Sequence, residues 1–396
     1  MTNSCLYNEA NVSVPNTLYN QTIGVLKLIY PYYNLVIFAM LSLVVKAIHF
    51  CLYASLCLSN NKAMADVTKN HSIPSLYCFG DSFLDTGNNN FIKTVAKADF
   101  LPYGKDFMGG KPTGRWTNGK TICDYMVEKL GVKDYIPPYL DPSIEDNDLL
   151  TGVSFASGGT GYDPKTSEIP HVISMVAQLD LFKEYIGKLN KIVGEEVAKE
   201  IIEKSLYLVI ASSNDWAITY TAVPVRRLQY DVPGYANLLA NSARNFIEDL
   251  YKLGARRIAI WGTPYIGCWP LARTVSGGLE RVCGDKFNEE AQTFNNLIKR
   301  QLTILDRSLP QSKICYVDYY NIGKELTENY EKYGFEVIDK GCCGTGALEV
   351  SIICNKLIPI CLDDSKYLFW DSVHLTDKGY NIVVNHALPY ILPCLL

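Results

Sequence analysis

Histidine is scarce in this chain, five residues of 396, and the sequence has no basic block, no tandem repeat and no paired C-x-x-C spacing. Each absence excludes something. The 37 Lys and Arg are interspersed with 41 Asp and Glu, for a net charge of −4, which leaves no electrostatic footprint for nucleic acid. Without self-similarity at 20–50 residues, solenoids and propellers are excluded. Without C-x-x-C pairs, the usual signature of a zinc site is missing, and no cofactor or metal is expected. G-x-S-x-G is absent too, which argues against the lipase fold built on that elbow. What remains is an ordinary globular composition, 48% hydrophobic and 20% charged, long enough for one large domain or two ordinary ones.

Cysteine, by contrast, is abundant. Ten of the thirteen follow Ala65, and four of those lie between Cys342 and Cys361. Such clustering favours an oxidising compartment and disulfides over a metal site. Cys268 and Cys283 flank one Gly-rich loop, and Cys342, Cys343, Cys354 and Cys361 flank another. Bridges there would pin both loops, whereas Cys78 and Cys315, inside apolar runs, read as buried thiols.

Residues 35–58 are mostly apolar, interrupted by Lys46 and His49, and Ala63-Met64-Ala65 follows. A short apolar run ending in A-x-A is the pattern of a cleaved secretory signal. The expected layout is an upstream, disordered extension over 1–39, a signal peptide over 40–65 starting at Met40, and a mature domain over 72–396. The apolar core of that signal, about residues 47–58, is too short to span a bilayer. A signal anchor over 35–58 is the alternative, in which Lys46 would sit at cost near the membrane centre. Asn70-His71-Ser72 is a glycosylation sequon. The expected product is secreted and extracellular, with no stable membrane span after cleavage.

Five apolar runs, at 75–81, 152–157, 206–212, 257–263 and 313–318, read as strands buried on both faces. Between them lie helical stripes. One opens at Pro233 and stops at Gly254; another runs from Phe287 to Leu305 and ends before Pro310; a last one runs from Thr376 to about Ile391. Strands alternating with helices predict a single α/β domain with a five-stranded, mostly parallel sheet. In such sheets chemistry gathers where strands hand over to loops, which directs attention to Asp81-Ser82, Ser157-Gly158, Asn214 and Asp318.

Among the histidines, His374 follows an aspartate by three residues, in Trp370-Asp371-Ser372-Val373-His374. Asp371 can fold back to accept Nδ1–H, leaving Nε2 free to take a proton. His171 follows Glu168 at the same spacing, whereas His386 has no such acid and falls inside the last helix. Phe79-Gly80-Asp81-Ser82 closes the first strand, where the glycine permits a sharp turn that presents Ser82. A serine hydroxyl needs an adjacent base, which His374 supplies if the fold joins them.

Four blocks in order, F-G-D-S at 79–82, G-V-S-F-A-S-G-G at 152–159, S-S-N-D at 212–215 and F-W-D-S-V-H at 369–374, resemble those of GDSL-type SGNH hydrolases. G-C-W-P at 267–270, G-C-C-G-T-G at 341–346 and Phe287-Asn288 resemble the plant GDSL esterase/lipases in particular. The resemblance implies a three-layer α/β/α, flavodoxin-like fold and an ester hydrolase. It implies Ser82 as nucleophile, His374 as base, Asp371 as its orienting acid, and an oxyanion hole of the Ser82 and Gly158 amides with the Asn214 side chain. One such donor is worth about 3–4 kcal/mol of transition-state stabilisation. The family usually has Gly-x-Asn-Asp where this chain has Ser212-Ser213-Asn214-Asp215. If position 212 needs a positive φ, serine is strained there and shifts Asn214.

The expected partner is a small-molecule or lipid ester. Acyl transfer to another alcohol shares the first half-reaction; a catalytically silent binding protein or a flavodoxin-like cofactor binder would share the fold. Residues 114–121 match G-x-x-x-x-G-K-[ST], but no strand leads into them, as a phosphate loop requires. Aromatic and apolar residues in 99–116 and 265–275 are candidates for an acyl pocket as well as for core packing.

Overall fold

The computed structural model describes residues 73–396, together with Val45, Lys46, Ile48 and His49, which are helical. The chain divides into a unit over Met1–Val67 and a second over Thr68–Leu396; the second carries the sheet. The expected extension, the signal segment apart from those four residues, and the Asn70 sequon lie outside the described residues.

Four parallel strands, β1 (Leu76–Gly80), β2 (Leu206–Ile210), β3 (Arg257–Trp261) and β4 (Lys313–Val317), pair in sequence order. β1 and β2 are buried along their whole length, which is why their sequences lack polar alternation. Side chains of a strand point alternately to opposite faces. Tyr77 and Phe79 meet Phe182 and, for Phe79, Phe246, whereas Cys78 between them is bonded to Cys123. The first face is covered by α4 (Met175–Val193) and α6 (Val232–Lys252), the second by α1 (Ile122–Lys129) and α10 (Asp377–Leu395), which packs on β3, β4 and α1. The result is the three-layer α/β/α architecture. Short helices α2 (Asp146–Thr151) and α3 (Pro164–Glu168), α5 (Glu195–Lys204), α7 (Pro270–Ser276), α8 (Asp285–Ser308) and α9 (Tyr319–Glu328) complete it.

The run at 152–157 departs from the five-stranded expectation. It lies beside β1, with Phe155 N donating to Cys78 O at 2.8 Å and Ser157 N to Gly80 O at 2.9 Å, but forms only isolated bridges at Ser154. Its outer edge meets residues 137–139, where Pro138 has no N–H to extend a ladder. A separate parallel pair, β5 (Val337–Gly341) and β6 (Tyr367–Phe369), leads into the loop at 370–374.

The predicted helix at Pro233 starts one residue earlier, capped by Asp231, whose carboxylate accepts from Gly234 N at 2.8 Å. Thr376 caps α10 in the same way, and that helix continues past Ile391 to Leu395. Among the described residues, four disulfides join Cys78 to Cys123, Cys268 to Cys283, Cys342 to Cys361 and Cys343 to Cys354. The reading of Cys78 as a thiol is therefore corrected: its side chain faces α1, where Cys123 lies. Cys315 is a buried free thiol.

Candidate active site

Gly80 ends β1 at φ +129°, and a Cβ there would strike the Ile210 carbonyl. Only glycine lets the chain turn here, and Ser82 follows in a tight turn in which the amides of Leu84 and Asp85 donate to Asp81 O. The loop between β6 and α10 comes over this turn. Ser82 Oγ lies 2.7 Å from His374 Nε2, and His374 Nδ1 lies 2.8 Å from Asp371 Oδ2. All three side chains are buried, with Ser82 6% exposed. The hydroxyl, imidazole and carboxylate are thus joined in line, across 292 residues of sequence between Ser82 and His374.

Four donors converge on the Asp371 carboxylate. The amides of Val373 and His374 donate to Oδ1 at 2.8 and 2.7 Å, and the Tyr103 hydroxyl donates to Oδ2 at 2.8 Å beside the imidazole. Burial, reinforced by the Asp371 charge, pushes the Tyr103 phenol well above its usual range, so it stays a donor. The Tyr103 oxygen in turn accepts the Ser351 amide at 2.9 Å. Trp116 covers the imidazole, ring centres 5.2 Å apart, and Phe83 meets it edge-on at 5.9 Å. Sequence reasoning missed Tyr103, because nothing local marks a tyrosine 268 residues from its partner.

The cysteine-rich loop is fastened to the same segment. Cys342 and Cys343 donate their amides to Phe369 O and Trp370 O, and Ser372 N donates to Glu349 O. Ser372 O accepts from Leu271 N at the start of α7.

The expected oxyanion donors are only partly available. Asn214 is half-buried and spends one N–H on Thr160 O at 2.9 Å, leaving the other free. The Ser82 amide is at the turn. Gly158, however, does not present its amide to the site: that N–H donates to Asp85 Oδ2 at 2.9 Å. Asp85 is three residues past Ser82, and its other oxygen accepts from Gly87 and Asn88. The glycine at 158 is required instead by Trp116, whose ring a Cβ would meet at 2.5 Å.

Ser212 has no positive φ; its hydroxyl bonds Thr263 Oγ1 at 2.7 Å, so the expected strain does not arise. Ser213 Oγ donates to Asp81 Oδ2 at 2.9 Å, tying the Asn214 turn to the Ser82 turn. Burial raises Asp81 to about 7 and Asp85 to about 6, against the hydrogen bonds each accepts.

The remaining candidates are structural. Asp318 caps α9 and pairs with Lys299; His171 lies exposed at φ +56°; His386 packs on Tyr333. In the 114–121 segment, Arg115 is paired bidentately with buried Asp124 and Thr121 caps α1. Tyr103 and Trp116 belong to a core cluster with Trp370 and the Cys343–Cys354 bridge, so these aromatics of 99–116 pack rather than line a pocket.

A parallel α/β sheet with an imidazole-bonded hydroxyl at its C-terminal edge is a layout found in hydrolases that attack through an activated hydroxyl. Residues 76–387 match the model of the GDSL-like lipase/acylhydrolase family. The chain is 47% identical to the Arabidopsis thaliana GDSL esterase/lipase At5g42170 over 83% of its length and 88% of that protein's. It is 46% identical to GDSL esterase/lipase EXL3 of the same plant, over 85% and 92% of the two. The chain belongs to the GDSL lipase/acylhydrolase family and is a carboxylic ester hydrolase.

Proposed function

We propose that Ser82, His374 and Asp371 are the catalytic triad of this esterase and that its substrates are acyl or lipid esters. The observation that carries the reading is the 2.7 Å contact from Ser82 Oγ to His374 Nε2, with Asp371 holding Nδ1. Ser82 Oγ attacks the ester carbonyl carbon while its proton passes to Nε2. The negative charge that develops on the carbonyl oxygen is met by the Ser82 amide and the free N–H of Asn214. The tetrahedral intermediate collapses, the alcohol leaves with the proton from Nε2, and water repeats the sequence on the acyl-enzyme. Asp371 keeps hold of Nδ1–H throughout, fixing the tautomer and balancing the imidazolium.

The protein is secreted in this reading, with 40–65 as its removed leader and 72–396 as its catalytic domain. Four disulfides support passage through an oxidising compartment. Among the described residues no helix is long and apolar enough to cross a membrane.

The test is fluorophosphonate labelling of wild type and Ser82→Ala. Wild type takes the label and the variant does not; a labelled variant overturns the assignment. Mass analysis of the secreted chain is expected to find Asp66 as its first residue.

A further inference from the structure

We infer that the apolar cavity between the π-helical turn Asp215–Ala222 and the segment 266–275 is the acyl-chain subsite, and that it takes medium-length acyl esters. This rests on the triad proposed above. The cavity holds about 300 Å³ and is walled by Trp216 and Ala217 on one side and Ile266, Trp269, Ala272 and Val275 on the other. No charged side chain lines it. Trp216 and Ile266 form a buried floor, and Ala222 and Val275 are exposed at the mouth.

Its walls are joined to the reacting groups on three sides. Trp216 stands two residues past Asn214, whose free N–H faces the oxyanion in the proposed mechanism. Trp269 packs on Phe83, ring centres 6.0 Å apart, and Phe83 follows Ser82 directly. Leu271, also a lining residue, donates its amide to Ser372 O inside the triad loop at 2.9 Å. Another apolar cavity, lined by Phe83, Trp269 and Val373, holds only about 20 Å³, too little for a chain, so the larger one is the apolar space assigned to the chain of a carbonyl held between Ser82 and Asn214. Cavities of similar size among the described residues include one lined by Asp318, Glu325 and His386 and one lined by Asn295, Lys299 and Asp318, and their charged groups suit no alkyl chain.

Volume sets the length. An apolar cavity of about 150 Å³ holds one benzene, so twice that volume accommodates on the order of a dozen carbons. Aligned burial of a methylene in such a pocket raises kcat/KM about fourfold.

Two measurements test this. With wild type, kcat/KM for nitrophenyl esters is expected to climb roughly 100-fold or more from acetate to decanoate and to flatten beyond dodecanoate; a flat profile from acetate to decanoate overturns the inference. In Ala217→Phe, from one wall, and Val275→Trp, at the exposed mouth, the decanoate-to-acetate ratio is expected to fall at least tenfold. An unchanged ratio in either variant that still takes the fluorophosphonate label also overturns it. Binding of methyl decanoate to Ser82→Ala, read by the emission of the pocket tryptophans, separates the two readings. Binding without wild-type turnover sinks the triad alone, and no binding sinks the subsite.

Discussion

Asp371→Asn is the substitution on which the structure speaks most directly. Two carboxylate oxygens accept four donors: two amides on one, Tyr103 and the imidazole on the other. An amide has one acceptor oxygen and one donor nitrogen. If its oxygen keeps the Val373 and His374 amides, its NH2 faces Nδ1. The imidazole must then surrender the proton there and carry it on Nε2, so that it donates to Ser82 Oγ and cannot take its proton. If the amide turns over, its NH2 faces two backbone N–H groups at a fully buried position, a worse arrangement. Tyr103 adapts by accepting instead of donating, so the fold tolerates the first orientation. A wrong tautomer costs about 10⁴-fold in kcat, or about 5.4 kcal/mol. The assay is kcat on nitrophenyl acetate together with the second-order rate of fluorophosphonate labelling. Both are expected to fall by three to four orders of magnitude, roughly, in a protein whose far-UV dichroism and melt show it folded. A folded variant retaining more than about a tenth of wild-type kcat refutes the role given to Asp371.

Tyr103→Phe removes one of those four donors and leaves the tautomer intact, so kcat is expected to drop about tenfold, or 1.4 kcal/mol, with KM unchanged; a kcat equal to wild type denies Tyr103 its part in holding Asp371. Replacing Cys343 and Cys354 together by Ala opens an 11-residue bridge worth about 3 kcal/mol in the chain-entropy model. Because Cys343 N holds Trp370 O, the double variant should lose turnover below its melting range, whereas loss of stability alone would point to a bridge without influence on the loop. Stability should also fall as pH rises from 5 to 8. Burial holds Asp81 at about 7 and Asp85 at about 6 in the folded chain, above their unfolded values, so the folded state binds more protons across that window and stability declines through it. Glu349 works the other way. Despite burial, the Thr345 and neighbouring hydrogen bonds hold it at about 2, so its contribution is lost as pH falls below about 4.5. A melting temperature that peaks in mild acid, with a flatter decline in Asp81→Asn, is the expected result; a profile rising from pH 5 to 8 contradicts it.

What the sequence made legible and what it did not differ in one physical respect, the distance over which the determining contacts act. β1 to β4 were readable because burial on both faces leaves an apolar run in the strand itself. The pairing of Asp371 with His374 was readable because a three-residue turn is a local object. Ser82 was visible near a glycine turn, and the four ordered blocks joined it to His374, the imidazole that the fold sets 2.7 Å from its hydroxyl. By contrast, the run at 152–157 is as apolar as the strands, yet its edge is interrupted by Pro138, which only the fold brings beside it. Cys78 looked like a core thiol because its environment is core; its partner Cys123 sits on α1, which covers the face of the sheet that Cys78 points to.

Gly158 carries this argument furthest. Close backbone approach was the right reason for a glycine, applied to the wrong neighbour. The approaching group is the Trp116 ring, which also covers His374, while the amide is held by Asp85. Glycine at 158 thus acts on the imidazole through the tryptophan it admits. A Gly158→Ala change should therefore displace the ring over His374 while leaving the Ser82 and Asn214 donors in place. The expected signature is a lowered rate of serine labelling together with altered Trp116 fluorescence; a slowed enzyme whose tryptophan emission matches wild type would return the Gly158 amide to the oxyanion.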